Sequence, residues 1–89
     1  MPEVDDHYCV RWIEQEPLDL SPGDEIKGVE LYGLPFKGKL KTKPQVLENQ
    51  RYPDFNGAWF FYLEEATGHI FDVMTKSPIE KSESFRHSL

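Results

Sequence analysis

Proline and glycine interrupt this chain at short intervals along its whole length. The 89 residues include seven prolines and six glycines, and no segment between them reads as a long helix. The intervening runs are short and rich in β-branched and aromatic residues, which is typical of strands. About five such strands predict an all-β fold, a small single-domain antiparallel β-barrel of SH3-like form. An OB-like barrel and an open β-sheet are the alternatives.

The strands themselves are predicted from composition and from the turns that bound them. They are expected over 7–13, 25–32, 36–43, 58–64 and 69–75. Residues 65–68 end in Gly68, and a type I turn closed by a left-handed glycine would join the last two strands in a tight hairpin. In the second strand, Ile26 has the opposite parity to Val29 and Leu31. A β-bulge at Gly28 would turn all three side chains inward.

The remainder of the chain suggests short flanking segments around one domain. We expect an acidic N-terminal arm over 1–6, the barrel over 7–76 and a flexible, serine-rich C-terminal tail over 77–89. Cys9 is the only cysteine, so an intramolecular disulfide is excluded and a cytoplasmic location is the expectation. The N-terminal residues lack the apolar core of a signal peptide, and no apolar run is long enough to span a membrane.

Four lysines alternate along one predicted strand of an otherwise acidic protein. The net charge is −6, so the other 85 residues carry −10. A strand has a side-chain period of two, which would place all four on one face. They are Lys37, Lys39, Lys41 and Lys43.

This lysine stripe has three interpretations. It is a surface that docks on an acidic protein or a phosphate backbone, or it protects a sheet edge from association. Alternatively, its members pair with glutamates across the sheet, the candidates being Glu25, Glu30 and Glu64.

A second candidate site consists of aromatic residues in or beside loops rich in proline and glycine. They are Tyr32, Phe36, Tyr52, Phe55 and Trp59. Aromatic loops on a small barrel form grooves for extended peptides or platforms for stacked bases. The competing interpretation is that these rings close the barrel core, with Tyr52 and Phe55 the best candidates for surface positions.

Catalytic chemistry has little support in the sequence. The histidines His7, His69 and His87 are far apart and match no metal-ligand spacing. Cys9 has no visible general base beside it. We therefore expect no enzyme activity, no metal and no cofactor.

These observations favour a non-catalytic protein–protein interaction module, an adaptor or regulatory subunit. Its partner would be an acidic or extended segment of another protein, docked on the lysine stripe and the neighbouring aromatic loop. One alternative is a nucleic-acid-binding barrel that uses the same lysines. Another is an acidic nucleic-acid mimic that inhibits a basic protein. The chain could be a monomer or a homodimer.

Overall fold

The computed structural model describes the backbone of residues 7–87 and the side chains of residues 10–84. This part of the chain is all-β, as predicted, and contains seven strands and two short 3₁₀ helices. The strands are β1 His7–Gln15, β2 Glu25–Val29, β3 Pro35–Leu40, β4 Gln45–Val46, β5 Trp59–Glu64, β6 Ile70–Thr75 and β7 Ile79–His87. The 3₁₀ helices are Pro17–Asp19 and Pro53–Phe55. Within residues 7–87, no helix is long and apolar enough to cross a membrane.

All seven strands pair in one antiparallel sheet, which curls strongly into an open half-barrel. The order runs β1–β7–β2–β3–β5. One edge of β5 is shared: β3 pairs with its C-terminal end and β4 with its N-terminal end, while β6 covers the other edge. The described strands therefore adopt the open-sheet alternative, with β1 and β6 as the outer strands.

The gap between β6 and β2 is bridged at one end by two hydrogen bonds. The amide of Leu31 donates to the carbonyl of Met74 at 2.8 Å. The hydroxyl of Thr75 donates to the carbonyl of Val29 at 2.6 Å. The two bonds thus tie the C-terminal end of β6 to the last residue of β2 and to the residue two positions after it.

The curl of the sheet encloses one apolar core. In β5 the side chains alternate, with Phe61 and Leu63 buried and Tyr62 exposed between them. The hairpin from β5 to β6 is confirmed: Gly68 has φ 92° and donates its amide to the carbonyl of Glu65. The core cluster consists of Leu20, Ile26, Phe36, Leu40, Phe61, Leu63, Val73 and Ile79.

The β-bulge expected at Gly28 is absent, which corrects that prediction. Strand β2 pairs with β3 without interruption, and Val29 lies on the outer face with 41% of its surface exposed. Gly28 lies opposite Phe36, and a Cβ at position 28 would stand 2.8 Å from the Phe36 ring. The glycine is needed because an aromatic ring packs against its backbone.

Strand β7 lies within the stretch that the sequence predicts as a flexible tail. It pairs with β1 along its whole length and with β2 at Glu80 and Lys81. Its first residue, Ile79, is 1% exposed and belongs to the core. The residues that follow are mostly polar, so they give no apolar alternation from which a strand could be predicted. The domain bounds 7–76 and 77–89 stay predictions, and the arm 1–6 lies outside the described residues.

Beyond Lys81, β7 has only β1 as a strand partner among the described residues. The two strands continue in register from Trp12 opposite Ser82 to His7 opposite His87, forming a two-stranded ribbon. The ribbon makes the molecule elongated, with principal extents of 62 × 25 × 22 Å and a radius of gyration of 16.0 Å. A compact domain of 100 residues has a radius of gyration of about 13 Å.

Candidate functional site

The four-lysine stripe is divided by the structure. Strand β3 ends at Leu40, so it contains only Lys37 and Lys39, both exposed on the outer face. Lys39 lies between Glu25 of β2 and Glu64 of β5 in the sheet register, away from an edge. Opposite charges on neighbouring strands attract, so the two glutamates partly offset the charge of Lys39, although Lys39 forms no ion pair within the described residues.

The other two lysines also interact within the chain. The ammonium of Lys41 lies 3.1 Å from a carboxylate oxygen of Glu64, which matches the cross-strand pairing interpretation for this residue. Lys43 donates hydrogen bonds to the carbonyls of Leu18 at 2.8 Å and Leu20 at 2.9 Å. It thereby fastens the end of the first 3₁₀ helix to the segment after β3.

Lys37 has a different environment, which contains two residues that the sequence did not single out. Its partner in register is Lys27 of β2. Both ammonium groups lie over the indole ring of Trp12, at 4.5 Å for Lys27 and 5.5 Å for Lys37. Cation–π contact with the half-buried indole partly offsets the repulsion between the two charges. No pattern in the sequence specifies this register, so Lys27 and Trp12 could not have been selected from it.

Three of the five predicted aromatic residues meet in one exposed group, which we call the aromatic cluster. The rings of Tyr32 and Phe55 contact edge-on with centroids 6.5 Å apart, and those of Phe55 and Tyr52 at 5.8 Å. Phe55 is half-buried between the two tyrosines, whereas Tyr32 and Tyr52 are 68% and 60% exposed. The guanidinium of Arg51 lies 5.9 Å from the Tyr52 ring.

Two hairpin loops hold the aromatic cluster. The loop between β2 and β3 carries Tyr32, and its amide-to-carbonyl bond from Glu30 to Leu34 closes it at 2.8 Å. The loop between β4 and β5 carries the other two rings. There the second 3₁₀ helix contains Phe55, whose amide donates to the carbonyl of Tyr52 at 3.0 Å. Local backbone bonds within each loop therefore position the exposed rings.

The remaining two predicted aromatic residues lie elsewhere. Phe36 is 5% exposed and packs edge-on against Phe61 in the core, with centroids 5.6 Å apart. Trp59 is half-buried at the start of β5 and lines a cavity of about 190 Å³ together with residues of β1 and of the turn before β7. The structure thus joins neither side chain to the aromatic cluster.

A shallow depression on the outer face begins at the lysine pair. It has a volume of about 480 Å³, and its lining includes Lys27, Lys37 and Glu80 together with the exposed pair Val29 and Pro35. The next residue before β3, Leu34, is 63% exposed and belongs to the loop that carries Tyr32. The apolar end of the depression therefore borders the loop that carries Tyr32, because that loop directly precedes Pro35.

Among the described residues, no group of three or more His, Cys, Asp or Glu side chains could hold a metal ion. His69 stacks on Phe71 at 5.9 Å. The side chains of His7, Cys9 and His87 lie outside the described residues.

Comparison with known protein families, curated proteins and solved structures finds no match to this chain. Its function must therefore be inferred from the surface itself.

Proposed function

We propose that the protein is a non-catalytic interaction module that binds an extended segment of another protein through the aromatic cluster. The observation that carries the proposal is the pair of tyrosines, 68% and 60% exposed, packed edge-on against the half-buried Phe55. Grouped exposed aromatic rings are typical of binding surfaces, because they offer a large apolar area at a small cost in side-chain entropy.

The size of the exposed area supports a useful affinity. An aromatic side chain buries about 150–250 Å² when it is covered, so covering the exposed part of one tyrosine would remove roughly 100 Å² from water. At about 25 cal/mol per Å², that burial contributes on the order of 2.5 kcal/mol before the costs of association. Two such rings are enough for hot-spot residues of a small interface.

We propose two further properties of the protein, namely an SH3-like form of the fold and a cytoplasmic location. A strongly curled antiparallel sheet with aromatic hairpin loops supports the first. The single cysteine supports the second, because a chain with one thiol does not use intramolecular disulfides. The nucleic-acid alternative is less well supported, because Lys41 and Lys43 interact within the chain and the net charge is −6.

The test compares variants of the full chain in affinity purification from a nuclease-treated lysate of the source organism. We expect Tyr32→Ala combined with Tyr52→Ala to lose a partner that the wild type retains, with an unchanged circular dichroism spectrum. Tyr62→Ala is the matched control, because Tyr62 is 41% exposed on the outer face of β5 and pairs with Phe60. Equal retention by the double variant and by the control would contradict the proposal.

A further inference from the structure

On the outer face of the sheet, two lysines lie directly opposite each other on neighbouring strands. Across the sheet register, Lys39 has glutamates on both sides, whereas Lys27 and Lys37 lie directly opposite each other. Like charges in that position repel. Within residues 10–84, neither ammonium forms an ion pair with a carboxylate, although Glu80 is the register neighbour of Lys27 on β7.

Trp12 brings the two ammonium groups together. Both nitrogens lie over the same indole ring, and their distances of 4.5 and 5.5 Å from its centroid place them at most 10.0 Å apart. Lysine side chains are flexible, so a carboxylate placed between them can accept a charge-assisted hydrogen bond from each and relieve their repulsion. This pair is therefore a ready site for one anionic group.

The position of the pair relative to the aromatic cluster sets the length of a ligand that reaches both. The depression at the lysine pair is also lined by the exposed residues Val29 and Pro35, which would contact an extended chain that runs toward the loop of Tyr32. Lys37 and Tyr32 are five residues apart in sequence, so at about 3.4 Å per residue they lie within roughly 17 Å. A partner segment of about five extended residues covers the same span.

We propose that the partner segment has two parts, namely apolar side chains on the aromatic cluster and a carboxylate about four to six residues away, between Lys27 and Lys37. The inference rests on the proposed function and adds the chemistry of the partner. The carboxylate between the two lysines belongs to an aspartate or glutamate of an extended protein segment. A polyanion is disfavoured because the net charge of the chain is −6, which repels a ligand with many negative charges more strongly than one with a single carboxylate.

The experiment selects peptides from a random 12-residue phage-displayed library on the immobilised full chain. Enriched peptides are then synthesised, and their affinities are measured by fluorescence anisotropy. We expect them to carry an acidic residue at a constant spacing from an apolar or proline anchor. Lys27→Gln combined with Lys37→Gln should weaken their binding about fivefold or more. The control, Lys39→Gln combined with Lys76→Gln, changes the charge equally at exposed positions and should leave binding nearly unchanged.

A double-mutant cycle distinguishes direct contact between the lysine pair and the acidic residue of the peptide from a general effect of the charge of the protein. Replacing the acidic residue of the peptide by its amide should cause the same loss, and the two losses should not add. The inference is overturned if enriched peptides lack an acidic residue, or if the lysine-pair variant and the control bind them equally. In both cases the proposed function survives if Tyr32→Ala with Tyr52→Ala abolishes binding. If the double tyrosine variant binds the peptides as tightly as the wild type does, the proposed function is overturned as well. The same holds if the library yields no enriched peptides. A mixed-sequence single-stranded oligonucleotide that binds more tightly than every peptide would overturn both in favour of nucleic acid.

Discussion

Replacing Thr75 by valine should destabilise the protein by about 2 kcal/mol, because one buried hydroxyl makes two hydrogen bonds. Thr75 is 0% exposed. It donates to the carbonyl of Val29 at 2.6 Å and accepts from the amide of Ser77 at 3.0 Å. Valine has nearly the same shape, so the cavity effect is small and both backbone groups lose their partner. Each loss costs about 1 kcal/mol or somewhat more.

The assay is urea unfolding followed by tryptophan fluorescence, with thermal unfolding as a second measure. For a domain of this size, 1 kcal/mol corresponds to about 4–8 °C, so the melting temperature should fall by roughly 8–16 °C. The matched control is Thr42→Val. Thr42 is exposed, and its hydroxyl accepts one bond from the amide of Tyr62 at 3.0 Å, which water can replace. That variant should change stability by less than about 0.5 kcal/mol.

The comparison tests how the open sheet is held together. If Thr75→Val is as stable as Thr42→Val, the hydroxyl contributes no net bridge between β6 and the end of β2, and our reasoning fails. Thr75→Ser keeps both hydrogen bonds and removes only a methyl group. It should therefore recover a substantial part of the stability lost in the valine variant.

Three further predictions concern the core, the divided lysine stripe and strand β7. Phe36→Ala should destabilise the fold by about 3–5 kcal/mol in chemical unfolding, since the ring is buried; a variant with wild-type stability would place Phe36 at the surface. Lys43→Met should cost roughly 1 kcal/mol through loss of two bonds to carbonyls, whereas Lys39→Met, which loses no such bond, should be nearly neutral. A chain that ends at Lys76 should lack the wild-type circular dichroism spectrum, because it omits the buried Ile79 and the strand between β1 and β2; a native-like spectrum would show that β7 is dispensable.

The sequence predicts best those elements whose local pattern and burial agree. The hairpin from β5 to β6 follows from apolar alternation around Phe61 and from Gly68, which adopts the left-handed conformation that its turn requires. The all-β class follows from the spacing of proline and glycine. By contrast, β7 is polar on both faces over most of its length, so only its pairing with β1 reveals it as a strand.

The candidate site could be predicted only in part, because long-range register decides which side chains meet. Tyr52 and Phe55 are three residues apart, and their grouping is visible in the sequence. Their contact with Tyr32 depends on two separate loops. The lysines do alternate in the sequence, but their surroundings depend on the fold. Strand β3 ends at Leu40 and therefore contains only two of them, and Lys27 of β2 lies opposite Lys37.

The pairing of β1 with β7 also bears on how the chain folds during synthesis. Strand β1 finds its only described strand partner in β7, although the two are among the most distant elements in the sequence. At about 5–20 residues per second, synthesis of the roughly 60 residues between them takes on the order of 3–12 s. During that interval, β1 presents unpaired backbone amides and carbonyls along both edges. Unpaired strand edges of this kind favour pairing with another chain, and the nearest one is a neighbouring copy on the same message.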